Sequence, residues 1–184
     1  EERIKYTHIT LEKALRLEEL LLEFFDITRF NLQDFVLETQ EMNLSLFLEQ
    51  IADESYGMLS AKGMTCAVDA EEDLMIQGDP DKLARVFDNL LRNAAAYGRE
   101  NTQILIQARG GRGRTTIVFT NEGEQIPQKK LETIFERFYR VDEARSSQTG
   151  GAGLGLAIAK QIVELHGGTI TATSDIHNTR FIVT

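Results

Sequence analysis

The sequence predicts an α+β protein, a two-layer sandwich in which a mixed β-sheet is covered by helices on one face, preceded by one long helix. The long helix is indicated by residues 1–35, which contain no glycine or proline and carry apolar side chains at helical spacing. The sandwich is indicated by helical and strand patterns that mix without the regular strand–helix–strand alternation of a parallel sheet. A third observation marks a special loop, because Gly150–Gly155 holds four glycines in six residues and runs into an apolar helical pattern.

The N-terminal helix is predicted to have a wide apolar face. Its members are Leu11, Leu15, Leu17, Leu21, Leu22, Phe24, Phe25 and Leu32. So much apolar surface on one helix must be covered, and a bundle completed by a second copy of the chain would cover it. Packing against the chain's own globular domain is the alternative. We place the domain boundary between residues 1–36 and residues 37–184.

The next two helices are predicted from their end signals. Ser45 is expected to cap a helix that continues until Gly63. Asp79 and Pro80 form a stronger start signal, a capping side chain followed by proline at the first helical position. The helix that they begin is expected to reach Tyr97.

The remaining elements are strands, a short helix, a polar segment and a last helix. The predicted strands are Met42–Leu44, Met64–Val68, Leu74–Gln77, Gln103–Ala108, Thr115–Thr120, Thr169–Ser174 and Phe181–Val183. A short helix is expected over 128–135, and the last helix is expected to end at His166, where the histidine would compensate the helix dipole. The long polar segment 137–151 between these helices is predicted to be a mobile cover.

Composition is typical of a water-soluble globular protein and limits the partners. A net charge of -9 argues against a general nucleic-acid surface, and no nucleic-acid partner is expected. No apolar run is long enough to cross a bilayer. Cys66 lies in a predicted strand and is interpreted as a small core residue. Because the chain begins at Glu1 without methionine and stops inside a predicted strand, we expect a soluble piece of a longer polypeptide.

The glycine stretch that precedes the last helix fits a phosphate site. Glycine lets the backbone approach a ligand closely, and the start of a helix offers unpaired N–H groups and the positive end of a dipole. Such a place suits phosphate. Taken alone, the stretch is equally compatible with a tight turn that only improves helix packing.

A pair of asparagines in the helix over 79–97 is the second candidate feature. Asn89 and Asn93 are four residues apart and therefore project from one face, next to a buried side formed by apolar neighbours. Asparagine is unfavourable inside a helix, so two aligned amides indicate a partner. A magnesium ion that bridges nucleotide phosphates would be one. Solvent or neighbouring backbone groups are the alternative.

Two further segments could complete a nucleotide pocket. In Asn121–Pro127 a side-chain amide or carboxylate could bind the amino group of a base, with Gly123 leaving room for the ring and Ile126 as an apolar wall, although a plain turn also explains this segment. In Phe135–Arg140 aromatic residues surround arginines that could reach phosphate oxygens, although core packing explains the aromatic residues equally well.

In their order and spacing, these four segments resemble the sequence boxes of the catalytic domain of two-component sensor histidine kinases, within the larger group of ATP-binding domains shared with gyrase, Hsp90 and MutL. The asparagine helix is similar to the asparagine box, Asn121–Pro127 to the first glycine box, Phe135–Arg140 to the phenylalanine box and Gly151–Leu156 to the second glycine box. The segment ending Phe24-Phe25-Asp26-Ile27-Thr28-Arg29-Phe30 resembles the second helix of the kinases' dimerisation hairpin. Segments 78–87 and 144–155 resemble the VanS-type vancomycin-resistance sensors.

The resemblance implies a role for each candidate residue, with ATP and Mg2+ as the bound species. Asn93 would coordinate Mg2+, and Asn89 would support the water shell of the ion and the phosphates. The adenine pocket would be lined by Tyr97, Asn121, Gly123 and Ile126. The remaining ATP-binding residues would be Phe135, Arg137, Arg140, Gly151, Gly153, Leu154 and Gly155, with Arg140 and the glycine backbone holding the phosphates.

Three departures from the family pattern affect these roles. Asn121 stands where the family often has aspartate, so it would accept from the adenine amino group with less charge assistance. Ala96 stands where many relatives carry Lys or Arg, so that contact would be missing or would come from Arg140, Arg137 or Arg99. No phosphoacceptor histidine is present, because His8 is followed by Ile-Thr-Leu where the family has an acidic residue and then Thr-Pro or Asn-Pro.

The resemblance implies a protein-histidine kinase that transfers the γ-phosphate of Mg-ATP to a histidine on a dimerisation helix that this chain lacks. The phosphoryl group would then pass to an aspartate of a response regulator, as in vancomycin-resistance signalling. The implied full-length protein is a homodimer, joined through the N-terminal helix, in the bacterial cell membrane with this domain in the cytoplasm. An ATPase or ATP-driven clamp of the same superfamily is a second hypothesis, and a non-catalytic dimerisation or signalling module is a third. Hydrolysis is disfavoured because Asn89 stands where those ATPases carry the glutamate that activates water.

Overall fold

In a computed structural model the chain divides into two compact units, Glu1–Val36 and Leu37–Thr184. The structure describes residues 36–111, 113–139 and 153–184 of the chain, and in the first unit residues 3, 6–11, 13, 14, 17 and 21. The described residues before Val36 are helical. The predicted continuous helix over 1–35 falls mostly outside the described residues, so its length and its dimerisation role stay predictions.

The second unit contains seven strands and four α-helices among its described residues. The strands are β1 (Gln40–Asn43), β2 (Thr65–Ala70), β3 (Met75–Gly78), β4 (Gln103–Gly111), β5 (Arg114–Glu122), β6 (Ile170–Ser174) and β7 (Asn178–Val183). The helices are α1 (Leu44–Glu54), α2 (Tyr56–Ser60), α3 (Pro80–Tyr97) and α4 (Gly155–Leu165), with 3-10 turns at Gln128–Lys130 and Thr133–Phe135. None of the helices described is both long and apolar enough to cross a membrane.

Five strands form one mixed sheet in the order β2-β4-β5-β7-β6. The pair β2 and β4 is parallel, and the other pairs are antiparallel. Strands β1 and β3 form a separate antiparallel pair. The predicted α+β class with a mixed sheet is therefore confirmed.

Alternate residues of the central strands are buried, which shows that one face of the sheet carries the core. The buried members are Ile104, Ile106 and Ala108 of β4, Ile117, Phe119 and Asn121 of β5, and Thr179, Phe181 and Val183 of β7. Helix α3 packs on this face, where Phe87 is fully buried and its ring lies 5.7 Å from that of Phe119. Asn121 lies on the same face as Phe119, so the helix layer and this polar side chain occupy one side of the sheet.

Helix α3 forms as its end signals predict. The Asp79 carboxylate accepts a hydrogen bond from the Lys82 amide at 3.1 Å, and Pro80 is the first helical residue. The helix ends at Tyr97, and Gly98 follows it. The predicted helix over 79–97, which carries both candidate asparagines, is therefore confirmed.

The predicted cap of α1 is wrong. Asn43 caps this helix, because its Oδ1 accepts from the Leu46 amide at 3.1 Å. The Ser45 hydroxyl instead donates to the Glu71 carbonyl at 2.6 Å and accepts from the Leu74 amide at 3.2 Å. A tertiary partner in the turn between β2 and β3 thus replaces the local capping role of Ser45.

Two other local predictions are corrected. Residues 128–135 form two short 3-10 turns and not one helix. Asn121 and Glu122 are the last residues of β5 and not the start of a loop, because Asn121 pairs with Thr179 and Glu122 with Asn178 on β7. Most of the predicted cover, residues 140–152, lies outside the described residues.

Candidate nucleotide-binding site

The two asparagines of α3 lie on one side of the helix, next to its buried face. Asn89 and Asn93 are both half-buried, and the neighbouring Leu90, Leu91 and Ala94 belong to the core. Among the described residues, Asn89 Nδ2 is a buried donor without a hydrogen-bond partner. An unpaired buried donor costs roughly 1–3 kcal/mol, so this amide needs an acceptor beyond those that the described residues supply.

The glycine loop meets this amide at the start of α4. A Cβ atom added to Gly155, the first residue of α4, would lie 3.0 Å from Asn89 Oδ1 and 3.3 Å from Asn89 Cγ. Glycine therefore lets the helix start approach the asparagine closely. Leu154 precedes the helix and is 2% exposed, and its side chain provides no cap. The start of α4, where the first N–H groups have no partner within the helix, thus lies beside the Asn89 side chain.

The end of β5 reaches the other end of α3. Gly123 forms a β-bridge with Gly98, and a Cβ atom on Gly123 would lie 2.9 Å from the Tyr97 carbonyl oxygen. Asn121 is 5% exposed, and its Nδ2 donates to the Glu122 carbonyl at 3.1 Å. The donor end of this amide is thus engaged, and the acceptor end, Oδ1, is the end that an adenine amino group requires.

Ile126 is fixed by a contact that sequence reasoning missed. Its amide donates to Ser174 Oγ at 2.9 Å, and this hydroxyl also lies 2.9 Å from Thr179 Oγ1. The loop after β5 is therefore held against β6 and β7. Serine and threonine in strands are too common to mark such a contact, so no sequence signal distinguishes this one.

The residues just before and just after the stretch 140–152 are in contact with each other. The Phe138 amide donates to the Gly153 carbonyl at 3.0 Å. Gly153 has a φ of +74°, and a Cβ atom there would lie 2.9 Å from the Tyr139 carbonyl oxygen. Phe138 also has a positive φ of 63° and is 65% exposed. The second glycine box thus contacts the phenylalanine box directly, while Arg140 and Gly151 lie outside the described residues.

Phe135 and Arg137 are not brought to the asparagines. Phe135 is buried and packs edge-on against Phe181 with ring centroids 6.3 Å apart. Together with Arg137 it lines a cleft of about 470 Å³ along α4, whose helical lining residues are Ala157, Lys160, Gln161 and Glu164. At about 100° per residue, these four lie on the side of α4 opposite Gly155.

Two arginines that could replace the lysine or arginine expected at Ala96 lie among the described residues, Arg99 and Arg137. The Arg99 guanidinium is paired with the Glu122 carboxylate at 3.1 Å, and the Arg99 amide also donates to the Glu122 carbonyl at 2.8 Å. Arg99 is therefore engaged at the end of β5. Arg137 lines the cleft on the other side of α4.

The arrangement fits a nucleotide with a magnesium ion. Asparagine carbonyl oxygens are ligands that Mg2+ accepts together with phosphate and water. The Asn89 amide donor and the first N–H groups of α4, which a helix cannot pair internally, both require acceptors, and phosphate oxygens are acceptors. The donor set around Asn89, Asn93 and Gly155 is therefore chemically suited to this ligand.

Comparison with known proteins extends this picture. The model of the family described as histidine kinase-, DNA gyrase B-, and HSP90-like ATPase matches residues 78–184. The chain is 54% identical over 183 residues to the sensor protein VanS of Enterococcus faecium, which covers all of the chain and 47% of that protein. It is 43% identical over 172 residues to the sensor protein VanSC of Enterococcus gallinarum, covering 94% of the chain and 47% of the relative. The chain thus spans about half the length of the curated relatives it matches.

Solved histidine kinases share the fold. The histidine kinase ThkA in complex with the response regulator protein TrrA matches with a TM-score of 0.78 and 25% identity, covering 97% of this chain and 49% of that one. Full-length ShkA in complex with AMPPNP matches with a TM-score of 0.86 over all of this chain and 38% of its own, and at 23% identity this likeness concerns the fold alone.

Proposed function

The chain belongs to the histidine kinase-, DNA gyrase B-, and HSP90-like ATPase family, and from this premise we propose that it is the ATP-binding catalytic part of a sensor histidine kinase. One observation carries the proposal. Asn89 Nδ2 is a buried donor without a partner among the described residues, and the glycine at the start of α4 touches the same side chain. A phosphate oxygen would satisfy both this donor and the N–H groups of the helix start.

We assign the roles as the family resemblance implies them, and the contact between Asn89 and Gly155 supports the phosphate end of the site. Asn93 would hold Mg2+, which when bound neutralises phosphate charge, and Asn89 would bind phosphate oxygens or the water around the ion. Gly153, Leu154 and Gly155 would present backbone N–H groups to the phosphates. The adenine ring would lie at the other end of α3, between Tyr97 and the segment formed by Asn121, Gly123 and Ile126.

Four further residues have proposed roles that do not depend on the contact between Asn89 and Gly155. Phe135 would support the cover by packing on Phe181. Arg137 could reach phosphate only if it left the cleft along the opposite side of α4. Arg140 and Gly151 are proposed phosphate contacts on the strength of the family resemblance alone.

The proposed reaction is transfer of the γ-phosphoryl group to a histidine on a dimerisation helix that is not in this chain. The bond between the γ-phosphorus and the bridging oxygen of ADP breaks, a phosphorus–nitrogen bond forms, and the imidazole proton is released. Such transfer needs positioning and charge neutralisation from the protein. The phosphoryl group would then pass to an aspartate of a response regulator.

Simple ATP hydrolysis is the less favoured reaction. A hydrolase needs a base that activates water, and the Asn89 amide at the corresponding position cannot accept a proton. The adjacent carboxylate, Asp88, is paired with Arg92 at 2.7 Å and both side chains are about half exposed. It therefore faces solvent on another side of α3 and does not replace the missing base.

Magnesium-dependent nucleotide binding tests the site. We expect the chain to bind Mg-ATP by titration calorimetry and Asn93→Ala to weaken binding at least about tenfold, since each tenfold corresponds to about 1.4 kcal/mol. Arg92→Ala is the matched control, because Arg92 is the preceding residue on α3 and its side chain is 59% exposed. Unchanged affinity in Asn93→Ala would reject the assignment and favour a non-catalytic module that retains the fold.

The relatives suggest the wider setting. At 54% identity to VanS, the chain is proposed to serve VanS-type signalling in vancomycin resistance. The proposed partners are a response regulator and a second copy of the chain, joined through the first unit. The proposed location is the membrane, with the catalytic domain of the full-length protein facing the cytoplasm. Each of these is a proposal that rests on the resemblance.

A further inference from the structure

A histidine and an aspartate outside the nucleotide site join α3 to α4. His166 Nε2 lies 3.0 Å from the Asp79 amide nitrogen, and His166 Nδ1 lies 2.8 Å from the Ile162 carbonyl oxygen. His166 follows the last residue of α4, and Asp79 precedes the first residue of α3. The C-terminal end of α4 is therefore tied to the N-terminal end of α3.

The chemistry of the two partners fixes the state of the imidazole. A backbone amide can only donate, so Nε2 must accept and carry no proton. Nδ1 then carries the proton and donates to the Ile162 carbonyl. The imidazole thus compensates the end of α4 by donating from Nδ1 to the Ile162 carbonyl, which belongs to the last turn of the helix.

Asp79 is the centre of this connection. It is 4% exposed, and its carboxylate accepts from the Lys82 amide at 3.1 Å and from the Glu38 amide at 3.0 Å. Burial by itself would raise the pKa of Asp79, but the hydrogen bonds from the Glu38 and Lys82 amides, the leading causes in the other direction, hold it below its usual value. The carboxylate therefore stays ionised, caps α3 and fixes the chain at Glu38.

The same two helices meet again at the nucleotide site. Asn89 of α3 touches Gly155 of α4, and both Gly155 and His166 lie on the side of α4 that carries its buried residues. Asp79 and Asn89 are ten residues apart and Gly155 and His166 are eleven apart. At 1.5 Å per residue these spacings correspond to about 15 Å and about 16.5 Å. The two contacts between these antiparallel helices are therefore separated by about the same distance along α3 as along α4.

We propose that His166 and Asp79 form a positioning pair for the nucleotide site, which sets the register of α4 against α3 and so places Gly155 against Asn89. The inference rests on the proposed function. His166 is a positioning residue, because it lies about three helical turns from Gly155 and acts only through α4. A shift of α4 at this pair would move the helix start relative to the Asn89 amide, since a well-packed helix moves as a unit.

Two replacements of His166 separate its hydrogen bond from its bulk. His166→Gln keeps an acceptor at the position of Nε2, and His166→Phe keeps a ring of similar shape without an acceptor. We expect His166→Phe to bind Mg-AMPPNP about tenfold more weakly, as expected when one hydrogen bond to phosphate is lost. His166→Gln should bind within about threefold of the unmodified chain, because its side-chain oxygen can accept from the Asp79 amide.

A nucleotide-free NMR measurement keeps the inference separate from the proposed function. In the unmodified chain, the imidazole nitrogens of His166 should show the tautomer protonated at Nδ1, and His166→Phe should shift the amide resonances of Asp79 and Gly155 together. The Nε2-protonated tautomer, or a Gly155 resonance that does not respond, would overturn the positioning role even if nucleotide binds. If the unmodified chain binds no nucleotide, the proposed function fails. If His166→Phe does not fold, the positioning role is tested by the His166 tautomer of the unmodified chain and by the nucleotide affinity of His166→Gln.

Discussion

Replacing Gly155 by alanine tests the contact on which the nucleotide site depends. The added Cβ would lie 3.0 Å from Asn89 Oδ1 and 3.3 Å from Asn89 Cγ, which is closer than carbon atoms normally approach such neighbours. The Asn89 side chain would have to move by a few tenths of an ångström. Gly155 has no positive φ, so the backbone of α4 accepts alanine and the perturbation is confined to this contact.

The stability and the affinity should respond differently. Alanine favours a helix over glycine by up to about 1 kcal/mol, which offsets the cost of moving Asn89. We therefore expect the Tm of Gly155→Ala to stay within about 4 °C of the unmodified chain. Displacing Asn89 weakens one hydrogen bond to a charged phosphate, worth about 1.5–3 kcal/mol, so the affinity for Mg-ATP should fall about 10- to 100-fold.

The assay is titration calorimetry with Mg-ATP alongside thermal unfolding, with Gly57→Ala as the matched control. Gly57 lies within α2, and a Cβ atom there would meet nothing within 4 Å. This control should gain about 0.4–1 kcal/mol in the free energy of unfolding and keep its affinity. Gly155→Ala that folds and binds Mg-ATP as well as Gly57→Ala does would refute the reasoning.

Three further predictions concern the fold around the site. Phe87→Ala should lower the free energy of unfolding by about 3–5 kcal/mol in urea titrations, because Phe87 is fully buried and stacks on Phe119; a loss below about 1 kcal/mol would contradict its place in the core. Hydrogen bonds led by the Asn178 amide lower the pKa of Asp175 from 3.8 to about 2, so the stability that this carboxylate contributes is present above pH 3.8 and is lost as the pH falls toward 2. Between pH 3.8 and pH 2 the urea midpoint of Asp175→Asn should therefore fall less than the urea midpoint of the unmodified chain. Equal falls would reject the stabilising role of the Asp175 carboxylate. Burial raises the pKa of the Cys66 thiol to about 11, so Ellman's reagent at pH 8 should react slowly with the folded chain and fast in guanidinium, whereas equal rates would show an accessible thiolate.

Local chemistry explains which parts of the fold could be predicted. The capping carboxylate of Asp79 and the proline after it lie next to the helix that they begin, so the start of α3 is readable from a few residues. The cap of α1 could not be predicted in this way, because the Ser45 hydroxyl binds the carbonyl of Glu71, 26 residues further along the chain. Both Asn43 and Ser45 can cap a helix, and only the tertiary contact decides between them.

In the candidate site, too, the sequence predicts some contacts and leaves others undetermined. The order of the four boxes, together with the family they resemble, predicts that Asn89 and the glycine loop belong to one site, and the structure brings Gly155 against Asn89. Periodicity separates the side of α4 with Lys160, Gln161 and Glu164 from its buried side, but it does not show that Arg137 lies along the former. The contact between Asp79 and His166 joins residues 87 apart, and neither residue type indicates so distant a partner.

The most direct test of the proposed kinase activity is phosphoryl transfer in two parts. The chain is incubated with ATP labelled at the γ-phosphate, Mg2+ and a separate protein that carries the phosphoacceptor helix of a VanS-type kinase. We predict label that is acid-labile and base-stable on that protein and none on this chain, with transfer abolished by Asn93→Ala. Release of inorganic phosphate without labelling of the helix protein would contradict the account and indicate an ATPase, and acid-labile label on this chain would contradict the exclusion of His8.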